Sequence, residues 1–266
     1  MPMVSSAQVQ VASTASFTYT PPKAAIGAER ILVKPNLGYP VKPPVTVSVG
    51  VLGEVLRGLR QASPNAEILI VEGVCSPVSL AEIISRNGVC RVLDEGMRVL
   101  DADTLPLADY RNLSPVPVRF KSMLAPALLA EVDCRISVGA LKRTHLNGEP
   151  LISASLKNLY GLFPRAHYKA RSPNSRGQLH RPSVPLVLQD VYFCIGHLFD
   201  GAVVDGDRKY FSADWKPDRG KSVELGKVFW GEDLIDVDRE ACRVGGEPVP
   251  DYLEKIDRLR SEGMKD

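Results

Sequence analysis

CRISVGALKRTHLNGEPLISASLKNLYG, residues 134–161, opens on an apolar run, Cys134–Leu141, that reads as a short buried strand. Lys142, Arg143, Thr144 and His145 follow where that strand is expected to end. Lys157 and Asn158 come later, in a helix-like pattern set by Leu156, Leu159, Tyr160 and Phe163. Open α/β sheets place their ligands outside the carboxyl ends of the strands. This stretch therefore points both to a fold class and to the place of a site.

Working outward, the same arrangement recurs. Glu29–Val33 reads as a strand running into Lys34-Pro35-Asn36, where proline ends the ladder and sets the direction of its neighbours. Ala66–Val71 reads as a buried strand ending at Glu72-Gly73, and Gly201–Val204 as one ending at Asp205-Gly206-Asp207. Val45–Gln61, Leu186–Phe199, Asp233–Arg243 and the amphipathic Tyr252–Glu262 carry helical periodicity. Ser79–Asn87 opens with capping-box spacing, Ser79 and Glu82. Val89–Leu100 reads as a further helical piece, Thr104–Pro117 as a connection and Pro126–Glu131 as a short helix. Val4–Ser13 reads as a weak edge strand and Glu224–Trp230 as an alternating strand. Phe163–Pro185, rich in Pro, Ser, Gly and Arg, reads as a long loop or lid.

Short apolar strands alternating with helices predict an α/β fold: a mostly parallel, Rossmann-like open sheet with helices on both faces, in a single domain over residues 1–266. Strand carboxyl ends share one edge of a parallel sheet. Lys34 and Asn36, Glu72, Lys142 with Thr144 and His145, and Asp205 are then expected to meet in one cleft.

Composition narrows the function classes. The chain has 266 residues, 44% hydrophobic and 24% charged, with a net charge of +2 that gives no electrostatic case for nucleic acid or membrane. Yet there is no acid between Glu149 and Asp190, while Lys157, Arg165, Lys169, Arg171, Arg176 and Arg181 fall there beside His167 and His180. Interleaved with Tyr160, Phe163 and Tyr168, these residues suit an anion-attracting lid or a nucleic-acid stacking surface. The near-neutral charge and the lack of a nucleic-acid motif weigh against the second. Cys75, Cys90, Cys134, Cys194 and Cys242 form no CxxC pair, so an iron–sulfur cluster or zinc ribbon held by local cysteines is not expected. They read as reduced core thiols. The N-terminus has no secretory-signal pattern and no apolar run is long enough to span a bilayer, so a cytoplasmic protein is expected. Nothing points to a particular oligomeric state.

GxGxxG after a strand, GxxxxGK[ST] and GxSxG are all absent, which argues against a dinucleotide, a Walker-type nucleotide site and the commonest serine hydrolases. Lysines with Asn and Thr suit a carboxylate or phosphate. Lys34, Lys142 and Lys157 are candidates to orient an anionic ligand, with Asn36, Thr144, Asn158 and His167 as further binding residues. His145 is the candidate acid/base. Glu72, His145 and Asp205 are a candidate set for a divalent metal, although no HxxxH, HxH or HExxH spacing supports it. Each residue also has a plainer reading. Lys34 can be a solvated strand exit, Glu72 and Asp205 helix caps, and His145 a structural histidine.

VKPNLGYP (33–40), LIVEG (69–73), LKRTHLNGEPLISASLKNLYGLFP (141–164), VVDG (203–206) and GEDLIDVDREACRVGG (231–246) together resemble the DUF362 family, named for its undefined function. By position, the resemblance implies roles for Lys34, Asn36, Lys142, His145, Lys157, Asn158, His167, Asp205, Asp233 and Asp238. Many relatives carry a ferredoxin-type cysteine segment that this chain lacks, so the resemblance brings no electron-transfer role. Arg143 and the Pro-rich 39–44 loop depart from the usual pattern. The combined expectation is an enzyme acting on a small anionic metabolite in a specialised biosynthetic or cofactor pathway, metal-assisted if the carboxylates and histidine converge. The alternative is a non-catalytic metal- or nucleic-acid-binding protein.

Overall fold

A computed structural model describes residues 9–146, 148–214 and 219–263. In chain order the elements are β1 (Gln10–Ser13), β2 (Arg30–Pro35), α1 (Val49–Ala62), β3 (Glu67–Glu72), α2 (Leu80–Asn87), β4 (Met97–Asp101), β5 (Leu107–Arg111), β6 (Ser122–Pro126), β7 (Cys134–Leu146), β8 (Glu149–Ser153), α3 (Ser155–Asn158), α4 (Arg165–Tyr168), α5 (Val184–Cys194), β9 (Gly201–Phe211), β10 (Lys221–Gly231), α6 (Leu234–Val244) and α7 (Asp251–Gly263).

The main sheet runs β1-β10-β9-β7-β2-β3-β4, with β8 paired to β7. Its centre, β9-β7-β2-β3-β4, is parallel. Strands β10, β1 and β8 add antiparallel pairings. The fold is α/β with a mostly parallel open sheet, and the reason is visible in β2 and β3. Both are continuous apolar runs because both of their faces are covered. Ile31, Val33, Ile68 and Ile70 pack with the apolar sides of α1 and α2. Leu32, Leu69 and Val71 belong to the opposite core, which α5, α6 and α7 close. Among the described residues no helix is long and apolar enough to cross a membrane.

Local signals account for several boundaries. The Ser79 hydroxyl accepts from the Glu82 amide at 3.3 Å and starts α2. The Glu82 carboxylate pairs with Arg86 one turn on, so only half of the capping box forms. Gly88, at φ 73°, ends the helix in the left-handed region that only glycine enters at little cost.

Other boundaries differ from expectation. Val89–Leu100 is not a helix. A single 3-10 turn, Val89–Val92, gives way to β4, which pairs with β3. Within the expected connection 104–117 lies β5, paired with β6 in a separate two-stranded sheet, and the short helix expected near Pro126 is the 3-10 turn Ala127–Ala130. The helix expected around Lys157 is the four-residue α3 followed by a 3-10 turn, Leu159–Leu162. The long loop expected over 163–185 is broken by α4 and a 3-10 turn, Gly177–His180, and buries Phe163, Tyr168, Arg176 and Leu179. Residues 4–8 of the expected edge strand lie outside the described residues, but β1 does form the sheet edge.

One difference reshapes the site. β7 does not stop at Leu141 but runs to Leu146, because β8 pairs with its second half, setting Lys142 opposite Ser153 and Thr144 opposite Leu151. β9 likewise overruns Val204 and reaches Phe211, bringing Tyr210 opposite Lys142. Tertiary pairing carries polar residues along as strand where their own propensities would not.

Candidate functional site

The floor of the site is a saturated ion pair. Lys34, near the end of β2, is 1% exposed. Its ammonium meets Glu72 Oε1 at 2.8 Å, Asn158 Oδ1 at 3.1 Å and the Pro35 carbonyl at 2.8 Å, three acceptors for three N–H bonds. Glu72 in turn accepts from the Leu37 amide at 2.7 Å and the Gly73 amide at 2.8 Å. Burial pushes the Lys34 pKa down, and the Glu72 carboxylate opposes that shift. Asn158 donates to the Lys34 carbonyl at 2.7 Å and to Ser137 Oγ at 3.1 Å, so its amide is spent inside the protein.

This floor explains the spacing Lys-Asn-x-x-Gly. A Cβ on Gly161 would lie 2.1 Å from Glu72 Oε1 and 2.8 Å from Lys34 Nζ, so only glycine lets the chain cross the pair. The first turn of α3 is held by Asp238 of α6, which accepts from the Ser155 amide at 2.7 Å, the Ser155 hydroxyl at 2.5 Å and the Leu156 amide at 3.1 Å. Burial raises the Asp238 carboxyl to about 6. Asp238 thus positions the turn that carries Lys157.

Above the floor lies a cavity of about 370 Å³ at the carboxyl ends of β2 and β3 and beside the extended β7. Two lysines open onto it. Lys142 Nζ donates to Asn36 Oδ1 at 3.0 Å and to the Val45 carbonyl at 2.7 Å. Burial, and after it the Lys157 charge, lowers its pKa to about 7. Lys157 Nζ lies 5.4 Å from the centre of the Tyr160 ring, and burial pushes its pKa down as well. Among the described residues neither lysine is paired with a carboxylate.

The walls include groups that strand-end reasoning missed: Tyr39, Cys75, Tyr160, Arg176, His180 and Tyr210. Arg176 ties the 163–180 segment to the exit of β3. Its guanidinium donates to the Phe163 carbonyl, to Val74 O at 3.2 Å, to Cys75 Sγ at 3.1 Å and to Gly161 O at 3.2 Å, with Asp103 at 3.6 Å. His180 packs edge-on against Tyr160, and burial followed by the Lys157 charge lowers its pKa to about 4. Arg176 and His180 carried a sequence signal, the acid-free stretch, and Tyr39 sat in the unusual Pro-rich loop. Cys75 carried none. It is a half-buried cavity thiol, while Cys134, Cys194 and Cys242 are buried and Cys90 is exposed.

Of the residues singled out in the sequence, Lys34, Asn36, Glu72, Lys142, Thr144, Lys157 and Asn158 line the cavity. His145, Asp205 and His167 do not, and each has a physical reason. Because β7 continues as strand, alternate residues face opposite ways. Lys142, Thr144 and Leu146 line the cavity, whereas Arg143 sits 3.4 Å from Glu247 and His145 Nδ1 sits 3.1 Å from the Ser212 carbonyl. Asp205 serves the approach to α1, accepting from the Ser48 amide at 2.8 Å and the Asp207 amide at 3.0 Å. Burial pushes its pKa up. His167 is exposed on α4, against the Tyr168 ring. The single cleft expected for Lys34, Glu72, His145 and Asp205 therefore holds only the first two.

The same placement disperses the metal set of Glu72, His145 and Asp205. Glu72 is engaged by Lys34 and two amides, and the other two lie off the cavity. Among the described residues no three His, Cys, Asp or Glu side chains converge as a metal site. His145→Ala is accordingly expected to leave anion affinity unchanged and to lower stability by about 0.5–1.5 kcal/mol, the worth of one hydrogen bond. Calorimetric titration with sulfate and urea unfolding check the two halves. A loss of affinity in a folded variant would return His145 to the site.

Fold and cavity together define an α/β protein with a lysine-rich pocket at the carboxyl edge of its sheet. The chain belongs to the DUF362 family, a domain of unknown function, which matches residues 31–243. No curated protein matches the sequence. Among solved structures the chain is similar to the lactate racemase apoprotein from Thermoanaerobacterium thermosaccharolyticum, with 15% identity and a TM-score of 0.45 over 76% of this chain and 47% of that one. It thus spans just under half the length of that protein.

Proposed function

We propose that the protein is an enzyme acting on a small anionic metabolite, held in the cavity with its carboxylate or phosphate at Lys157. The observation that carries this reading is the convergence of Lys142 and Lys157, neither paired with a carboxylate, on a cavity of about 370 Å³. Ligand pockets for small molecules typically occupy roughly 300–1,000 Å³. A buried cation without a counter-charge costs folding free energy, and a bound anion supplies the missing partner. Lys34 does not compete for it, since Glu72 neutralises it. Asn158 is not a ligand donor in this reading but the brace between the floor and α3.

Lys142 favours an enzyme over a binding module. A general base works best with a pKa near the operating pH, and the Lys142 amine is held at about 7. A protein that only bound an anion would be served better by a lysine that stays fully charged. The nucleic-acid alternative loses support in three dimensions, because Arg165 bonds Asp103 at 2.6 Å and Arg176 is buried beside the same carboxylate. The basic run in the sequence is thus partly neutralised by a distant acid.

The test is calorimetric titration with inorganic phosphate, sulfate and a panel of small carboxylates. Lys157→Met keeps the stem and removes the charge. A charge-assisted contact is worth about 1.5–3 kcal/mol, so the best anion should bind roughly one to two decades more weakly. Equal affinity in a folded Lys157→Met protein contradicts the reading.

A further inference from the structure

Hydrogen-bond counts separate the three cavity lysines. Lys34 has three acceptors, Glu72, Asn158 and Pro35 O, which satisfy an ammonium completely. Lys157 has an aromatic face beside it and an open charge. Lys142 has two acceptors, Asn36 Oδ1 and Val45 O. Both are fixed by the fold. The Asn36 backbone donates its N–H to Val138 O at 2.9 Å and accepts from the Val47 N–H at 3.0 Å, and Val45, four residues before α1, donates its backbone N–H to Lys42 O at 3.3 Å. Two acceptors leave one position of Nζ without a protein partner on a side chain that lines the cavity: an N–H in the ammonium, the lone pair in the neutral amine.

From this geometry we infer that Lys142 is a nucleophile that condenses with the carbonyl group of a small oxo-acid, whose carboxylate lies at Lys157, to form an imine. The inference rests on the reading of the cavity as an anion-binding enzyme site and names the substrate class within it. The lone pair of Nζ adds to the carbonyl carbon, and the C=O π pair moves to oxygen. The resulting carbinolamine loses that oxygen as water, taking up the two hydrogens that Nζ gives up, and a C=N bond remains. No electrons enter or leave. Lys142 and Lys157 line the same cavity, and the Lys157 charge acts on Lys142 more strongly than that of Lys34, so one ligand bearing a carboxylate and a carbonyl can meet both lysines. Burial supports the chemistry by lowering the Lys142 pKa to about 7, which leaves a large fraction of the amine free at neutral pH.

The full-length protein is treated at neutral pH with pyruvate and sodium cyanoborohydride, which reduces imines to stable secondary amines, and then mapped by peptide mass spectrometry. The same treatment with acetone tests the carbonyl without the carboxylate. The expected result is a reduced adduct on Lys142, at least tenfold more abundant with pyruvate than with acetone and absent from Lys142→Arg. In Lys157→Met the adduct should need roughly ten- to hundredfold more pyruvate, by the same charge contact as above. Parallel calorimetry with pyruvate and sulfate separates the two claims. If both anions bind but Lys142 carries no adduct, the imine is overturned and the anion site stands. If neither binds and no adduct forms, both are overturned. An adduct spread evenly over the exposed lysines also overturns the imine.

Discussion

Glu72→Gln is expected to destabilise the protein by about 3–5 kcal/mol, the usual loss when one partner of a buried ion pair is removed. Lys34 and Glu72 are each almost wholly buried and 2.8 Å apart, so the remaining lysine would have to stay charged without a partner or give up its proton. The damage would not stop at the pair. Glu72 also receives the Leu37 and Gly73 amides, and a single amide oxygen cannot replace both carboxylate oxygens. The double variant Lys34→Met/Glu72→Gln should recover a large part of the loss, because it removes the orphaned charge together with its partner. Urea unfolding of the two variants and the wild type decides the point. A single variant within about 1 kcal/mol of wild type would mean that the floor is not held by this pair.

The second large effect is on pH. With Lys142 at about 7 in the free protein, sulfate, whose charge is constant in this range, should bind best below pH 7. Its affinity should then fall by as much as about tenfold per pH unit above 7, as binding must also supply the proton. The sign follows from the lysine being held below its ordinary value of 10.5. The unliganded fold bears the whole cost of the buried charge below pH 7 and sheds it as the pH rises toward 10.5. The groups that act on Lys142 are Lys157 and Lys34, which lower its pKa further, and Glu72 and Cys75, which raise it. Lys142→Met should remove the break near pH 7. A profile that is flat in wild type, or one that keeps the break in the variant, contradicts the role given to this amine. Anion binding weakens above pH 7 and the free amine disappears below it, so a reaction using both should peak near neutrality.

How much of this was legible in the sequence depends on how local the deciding interactions are. β2 and β3 announce themselves because burial on both faces demands unbroken apolar runs. β4 was hidden, since Met97–Asp101 is a short, partly buried strand whose identity comes from pairing with β3. The strand-exit argument did lead to Lys34, Glu72 and Lys142, because polar groups at the end of a parallel sheet do share an edge. It failed for His145 through one boundary. Ending β7 at Leu141 put Lys142 and His145 at a common terminus, whereas five further strand residues, specified by β8, put them on opposite sides. For Asp205 neither reading, metal ligand or cap of a following helix, holds: β9 continues past it, and it receives the amide of Ser48, the N-cap of α1, which lies 157 positions away in sequence. Arg176 and His180 reach the cavity because the acid-free segment folds over it; composition marks the segment as a lid, but which of its residues turn inward is set by contacts with the exit of β3 and with Tyr160.

The central claim is that the cavity at the sheet edge holds an anion against Lys157 and Lys142. A crystal structure determined in bromide, with the ion located by its anomalous scattering, tests that most directly. The account predicts a strong bromide peak inside the cavity, in contact with Lys157 Nζ and weakened in Lys157→Met crystals. Bromide peaks confined to the outer surface, with the cavity free of the ion, would contradict it.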